Sequence, residues 1–285
     1  MEESSPHQEP PFELTSELDA AIATAAGLLC AAEHAVALTG AGLSVESGIP
    51  PFRGPGGLWT KYGEPPMDGY QRFLEDPAAA WEARLNPKKE PWLAGLSQTL
   101  GHAEPNPGHR ALAELEALGF LACTITQNID GLHRRAGSRE LAEIHGNYQL
   151  LRCVGCNARF RQDEIPVDPA SLPPHCPECD GIVKGDTVQF GEPIPQDVLQ
   201  RCFQAVERCD VMIVAGTSAT VFPAANFPIE VLRSGGTVIE VNPLPSELTP
   251  IASLVLQGPG GLVLSRLVEA VRATEVDEAR PREPS

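Results

Sequence analysis

The chain has 285 residues, 42% hydrophobic and 21% charged, enough for one large or two modest domains with a core that needs no disulfide staples. Its net charge of -17, from 38 acidic against 21 basic residues with no basic cluster, argues against nucleic-acid or anionic-lipid binding and favours a cationic partner such as a lysine-rich protein segment. No apolar run approaches the roughly 18 residues that span a bilayer, and the opening residues carry Glu2, Glu3 and Glu9 without Lys or Arg, so the expected setting is the cytoplasm, without a secretory signal.

In chain order, residues 1–11 are Pro- and Glu-rich and read as a disordered tail, as do residues 275–285. A helix begins at Ser16, read as its N-cap, with Leu18, Ile22, Ala25 and Leu29 at helical spacing. It leads into a short apolar strand, residues 35–39, that stops at Gly40. Directly after it, Gly40-Ala41-Gly42-Leu43-Ser44 lets backbone amides approach a pyrophosphate at a helix start. The third glycine of the dinucleotide fingerprint is missing, so a tight turn without a ligand reads equally well. Residues 47–57 are too rich in Gly and Pro for regular structure yet carry Phe52 and Arg53, the composition of a loop that closes over a ligand.

Residues 55–105, which hold all three tryptophans, interrupt the pattern. A helix over 108–118 and a strand over 121–126 resume it, with Gln127-Asn128-Ile129-Asp130 at the strand's carboxyl end, where open parallel sheets bind ligands. His145-Gly146 precedes a second interruption, residues 147–187. Helices over 195–209 and 223–234 then alternate with strands over 211–215 and 237–241, and a last helix carries the stripe Leu264, Leu267, Val268, Val271. The alternation predicts an α/β fold, a parallel sheet with helices on both faces. The main domain comprises 12–54, 106–146 and 188–274; the insertions 55–105 and 147–187 form a smaller one.

Cys153-x-x-Cys156 and Cys176-x-x-Cys179, nineteen residues apart, have the spacing of a four-thiolate zinc ribbon. Four thiolates leave no open position, so the metal is structural. The alternative, four buried or redox-active thiols, is disfavoured by such regular spacing. Cys30, Cys123, Cys202 and Cys209 fall in apolar stretches and read as core, His175 as a bystander to a complete set of ligands, and His7, His34, His102, His109 and His133 as satisfied structural residues.

Taken together, Gly40 to Ser44, Ser47-Gly-Ile-Pro50 with Phe52-Arg53, Gln127 to Asp130, His145-Gly146, the two cysteine pairs, Phe190-Gly191-Glu192, Gly216-Thr217-Ser218 and Val241-Asn242, in this order, resemble the sirtuins, NAD-dependent protein deacylases. The resemblance covers residues 16–272. It implies a Rossmann-like NAD domain paired with a small zinc-ribbon and helical domain, NAD as co-substrate, one structural zinc ion, acyl-lysine protein segments as substrate, and no membrane or direct nucleic-acid partner. It further implies that Gly40, Ala41, Gly42, Ser44, Gly216, Thr217 and Ser218 hold phosphates and ribose, and that Asn242 meets the adenosine half. Ile49, Ile129 and Asp130 would hold the nicotinamide end, with Gln127 and Asn128 on the ribose and Phe52 and Arg53 in the covering loop. Phe190, Gly191 and Val221 would clasp the peptide by strand addition.

By the same resemblance His145 and Asn128 are catalytic: the acyl oxygen attacks the ribose carbon bearing nicotinamide to give an alkylimidate, and His145 deprotonates a ribose hydroxyl so that the acyl group passes to ADP-ribose. Protein ADP-ribosylation and NAD hydrolysis by the same site, and a zinc ribbon that only binds nucleic acid or partner chains, are the competing readings. Three departures stand out: Pro51 beside Pro50 stiffens the covering loop, Gln189 replaces an apolar residue, and Gly185 replaces a proline. Family branches that remove acidic acyl groups carry a Tyr-x-x-Arg pair where this chain has Arg84 and Pro87, so neutral acyl groups, acetyl foremost, are expected.

Overall fold

The computed structural model describes residue 12 and residues 14–86 and 91–278. The tail expected over 1–11, residues 279–285 and Pro87 lie outside the described residues. Helix α1 (Ser16–Ala31) is capped not by Ser16 but by Thr15, whose extended backbone (φ -85°, ψ 158°) lets its side chain accept from Leu18 N; Ser16 is already helical. Strand β1 (Ala35–Thr39) follows, then a 3₁₀ turn (Ala41–Ser47). The first insertion is helical: α2 (Leu58–Tyr62), α3 (Gly69–Glu75), α4 (Pro77–Leu85) and α5 (Pro91–His102).

Next come α6 (Pro107–Ala117), β2 (Cys123–Thr126), α7 (Leu132–Ala136) and β3 (Leu141–Glu143), then β4 (Leu150–Cys153), β5 (Arg159–Arg161) and β6 (Val183–Gly185) of the second insertion. The chain ends through α8 (Gln196–Glu207), β7 (Val211–Ala215), α9 (Phe227–Arg233), β8 (Thr237–Asn242), β9 (Leu254–Gln257) and α10 (Gly260–Glu278). Helix α10 thus runs four residues into the segment read as a C-terminal tail.

Six parallel strands form the larger sheet, ordered β3-β2-β1-β7-β8-β9. Their side chains alternate between two cores, as the period of two in a strand dictates. Ala35 and Ala37 of β1, Ile213 and Ala215 of β7 and Ile239 and Val241 of β8 pack with α1, α6 and α10. Val36, Leu38, Met212, Val214 and Val238 pack with α8 and α9 on the other face. Cys123, Cys202 and Cys209 belong to this second core, where burial pushes their thiols up to about 11, 12 and 12, in keeping with the structural reading. The smaller sheet is antiparallel, ordered β5-β4-β6, and lies within 147–187.

Candidate active site

Strand β1 has β2 on one side and β7 on the other, so the connections leaving it diverge and open a crevice at its carboxyl end. Gly40, Gln127, Gly216 and Asn242 sit at the carboxyl ends of β1, β2, β7 and β8. Two chain segments cross there in backbone contact: Gly42 N donates to Gly216 O at 2.7 Å. Gly216 has φ +64°, and a Cβ on it would lie 2.1 Å from Leu43 N, so only glycine fits.

Behind this crossing, the Ser44 hydroxyl donates to Asp130 Oδ2 at 2.7 Å and accepts from Asn128 Nδ2 at 3.0 Å. Asn128 Nδ2 also donates to Gly40 O at 3.0 Å, tying the end of β2 to the end of β1. His109 Nδ1 accepts from Asn106 N in a capping box at the start of α6, which leaves Nε2–H facing Ser44 Oγ at 3.4 Å. His133 Nε2 lies 2.9 Å from Thr39 Oγ1, which itself donates to Thr126 Oγ1, so His133 is the donor.

Burial holds His109 down at about 4, with a smaller push from Arg110, and holds His133 well below the ordinary value, so both rings are neutral. Burial pushes the Asp130 carboxyl up against its hydrogen bonds from Ser44 and Leu132 N. His109 and His133, expected as satisfied structural residues, are buried and hydrogen-bonded behind Ser44 and Thr39 with their rings 4.8 Å apart, and His133 Nδ1 is without a partner among the described residues. The spacing of Asn106 and His109 was a sequence signal for the capping box alone.

An open pocket lies over this network, lined by Ala41, Ser44, Ile49, Phe52, Asn128, Ile129 and Asp130, with Pro50, Leu96 and Leu100 as unforeseen members. Its apolar walls and single amide–carboxyl edge suit a flat aromatic amide. His145 follows β3; its Nδ1 lies 3.1 Å from Gln127 O, so the Nδ1–H donates there and Nε2 remains as a proton acceptor. Burial lowers its pKa, partly offset by that hydrogen bond. Gly146 (φ +79°) turns the chain against Asp186 O, where a Cβ would lie 2.0 Å away.

Gln127 Nε2 donates to Thr217 Oγ1 at 2.9 Å and Asn242 Nδ2 to Thr217 O at 3.0 Å, so these expected cofactor residues form one row along the sheet edge. Ser218 Oγ lies 2.9 Å from Thr220 Oγ1. Arg53 is outside the pocket lining: its guanidinium lies over the Trp59 ring, bonds Thr220 Oγ1 and pairs with Glu64 at 3.2 Å. Phe52, Trp59 and Phe190 follow one another with ring centroids 5.2 and 5.7 Å apart, joining the loop to the Phe190-Gly191 segment. Val221 is half-buried beside exposed Phe222.

The ribbon cysteines Cys153, Cys156, Cys176 and Cys179 bring all four sulfurs within 4.8 Å of one another, with edges of 3.5 Å (Cys153 to Cys179) and 3.7 Å (Cys156 to Cys176). Metal–sulfur bonds of about 2.3 Å give a tetrahedron with edges of about 3.8 Å, so the donor set fits zinc. Each knuckle closes on a left-handed residue, Asn157 and Asp180, both at φ 61°. His175 turns its Nδ1 to Asp180 O instead.

Between ribbon and cleft lies a brace of buried charges that sequence reasoning missed. Arg152 on β4 and Arg159 on β5 meet Asp186 at 2.9 and 3.1 Å, Arg152 also bonds Glu192, and Lys184 on β6 meets Glu192 at 3.0 Å. Asp186 accepts from Asn147 N, two residues past His145, and Glu192 accepts from Gln189 N, beside Phe190. The Arg84 guanidinium lies 5.7 Å from the Trp81 ring, with Nη2 3.4 Å from Tyr148 O. A Cβ on residue 185 would come within 2.7 Å of Arg84 Nη1, so Gly185 makes the room Arg84 occupies.

The Sir2 family model matches residues 40–223. "NAD-dependent protein deacylase 1" of Archaeoglobus fulgidus is 46% identical over 240 residues, 84% of this chain and 94% of that protein. A Sir2 homologue–NAD complex superposes with TM-score 0.73 at 43% identity, covering 94% of this chain and 98% of the other. A Sir2 protein bound to a myristoylated histone peptide gives TM-score 0.64 at 34% identity, covering 91% and 99%. With its cleft at the β1 crossing, its cysteine ribbon and these matches over most of its length, the chain belongs to the Sir2 family.

Proposed function

We propose that this chain removes acyl groups from protein lysines with NAD as co-substrate and one water consumed, releasing nicotinamide, O-acyl-ADP-ribose and free lysine. The observation that carries this reading is His145: its Nδ1–H is committed to the carbonyl of Gln127, the residue before Asn128 of the Asn128–Ser44–Asp130 network, and its Nε2 is free to take a proton. NAD supplies, when bound, the ribosyl carbon that the acyl oxygen joins as nicotinamide leaves.

The chain's own residues do the rest. Asp130 and Ile49 take the nicotinamide end in the apolar pocket, Asn128 and Gln127 orient the ribose, and Gly40, Ala41, Gly42, Ser44, Gly216, Thr217 and Ser218 meet the phosphates and ribose. Phe52 and Arg53 close the lid, and His145 withdraws a ribose hydroxyl proton at Nε2. The peptide lies as an added strand along Phe190, Gly191 and Val221. Zinc, held by the four cysteines, is remote from this chemistry and stabilises the ribbon.

Acetyl is our proposed acyl group. Arg84 is engaged by Trp81, Gly185 and Tyr148, and an acidic acyl tip in an apolar channel without a partner is costly to desolvate. No helix of the described residues is long and apolar enough to cross a membrane; a cytoplasmic setting also suits a ribbon that needs reduced thiols.

The test is nicotinamide release with and without an acetyl-lysine peptide, with mass detection of acyl-ADP-ribose. Peptide-dependent release supports the proposal. Peptide-independent release favours ADP-ribosyl transfer or NAD hydrolysis at the same site, and no release favours a ribbon that only binds partners.

A further inference from the structure

Glu240 on β8 is wholly buried and has no cationic partner among the described residues. Three donors surround it instead: Asn242 Nδ2 at 3.0 Å and Ser246 Oγ on Oε1, and Thr249 Oγ1 at 2.6 Å on Oε2. Ser246 N in turn donates to Thr249 Oγ1 and Leu248 N to Ser246 Oγ, so the turn after β8 is folded around this carboxylate. A buried carboxyl with only neutral donors is costly to desolvate.

Its effect on Asn242 is specific. The amide's two hydrogens go to Thr217 O and to Glu240, a carbonyl and a carboxylate that can only accept. The amide therefore cannot flip. Asn242 Oδ1 is left without a partner among the described residues and is not among the sealed polar atoms, so the side chain presents an acceptor to the cleft.

We propose that Glu240 is a positioning residue for nucleotide recognition: it locks Asn242 with its carbonyl oxygen toward the ligand and sets negative charge behind it, so the site takes a ribose hydroxyl and rejects a ribose phosphate. A hydroxyl can donate to Oδ1, whereas a phosphate offers only acceptor oxygens and carries charge of the same sign as Glu240. The inference rests on the proposed contact of Asn242 with the adenosine half.

The experiment compares NAD with its 2′-phosphorylated form, NADP, in steady-state deacetylation, alongside calorimetric titration of ADP-ribose, for wild type, Glu240→Gln, Asn242→Ala and the double variant. Glu240→Gln keeps the shape while giving Asn242 an end group with which either amide orientation can bond. We expect KM for NAD to rise about tenfold with kcat little changed, the loss of one charge-assisted hydrogen bond. The preference for NAD over NADP should fall by a similar factor, and Glu240→Gln should add nothing in the Asn242→Ala background. An unchanged KM and preference with a lowered Tm, or an equal penalty on top of Asn242→Ala, would overturn the proposal. A wild-type chain that binds neither NAD nor ADP-ribose would instead sink the functional reading and this one with it.

Discussion

In the cleft floor, the neutral side chains of Asn128 and His109 meet Ser44, which bonds a single carboxyl, Asp130, with His133 bonded to Thr39 nearby; in the brace under the ribbon, three cations meet two anions with side chains of Arg152, Lys184, Asp186 and Glu192 all 2–4% exposed. The brace is charged although charge is costly there. Burial pulls Lys184 down to about 8 despite the attraction of Glu192, and pushes Asp186 up despite Arg159 and Arg152. Under the proposed function the floor faces a reaction that changes charge, which demands polar groups already in place. The brace is under no such demand and can spend its charges on tying β4, β5 and β6 to the His145 and Phe190 segments.

The sharpest way to break this contrast is to remove what holds the brace from the outside. Cys176→Ala with Cys179→Ala should abolish one equivalent of bound zinc, and because binding of a structural zinc is worth on the order of 10 kcal/mol, the ribbon should unfold. Elemental analysis and calorimetric melting check this; full activity in a zinc-free folded protein would show that the ribbon and the cleft are independent. A smaller blow falls on the brace itself. Lys184→Met leaves Glu192 short of a cation and should cost about 3–5 kcal/mol in denaturant unfolding, raising the peptide KM more than the NAD KM.

On the floor, His145→Ala should keep cofactor binding and folding but lower kcat by roughly a hundredfold, about 2.7 kcal/mol in the barrier. Near wild-type turnover would move the base elsewhere. Acyl preference is a finer probe: kcat/KM should favour acetyl- over succinyl-lysine in matched peptides. A succinyl preference lost in Arg84→Ala would mean that Arg84 leaves its packing to meet the ligand. The smallest expected effect is on pH. His145 is held below the ordinary histidine value, so its neutral, proton-accepting form prevails above that value, and kcat/KM should stay level as pH falls from 8 to about 6.5 and decline only below. A decline already under way at pH 7.5 would contradict the burial that sets it.

Sequence legibility followed the range of the interactions. Strands β1 and β7 were readable to the residue because they are continuous apolar runs buried on both faces, and the ribbon because its ligands sit in two local pairs. Strands β3 and β9 were missed, being three and four residues long and held by pairing with neighbours rather than by their own pattern. The segments that carry Ser44, Asn128 and Asp130 were legible at the ends of β1 and β2, but their joining into one network was not; the spacing of His109 to Asn106 showed a helix cap and gave no hint of its contact with Ser44, 65 residues away. Nor did Glu192, whose partner Arg152 is 40 residues away. Such contacts exist only once the sheet has folded.

The backbone crossing of Gly42 over Gly216 also bears on how this chain can change by mutation. Any single-base change in a glycine codon that is not silent inserts a side chain or a stop, and a Cβ would fall 2.8 Å from Gly216 O at position 42 and 2.1 Å from Leu43 N at position 216. Neighbouring atoms there are main chain, with no rotamer to yield. In a saturation library selected for activity, both positions should be blank columns. Drift toward other nucleotides would therefore have to begin at the rim of the cleft and leave this seam untouched.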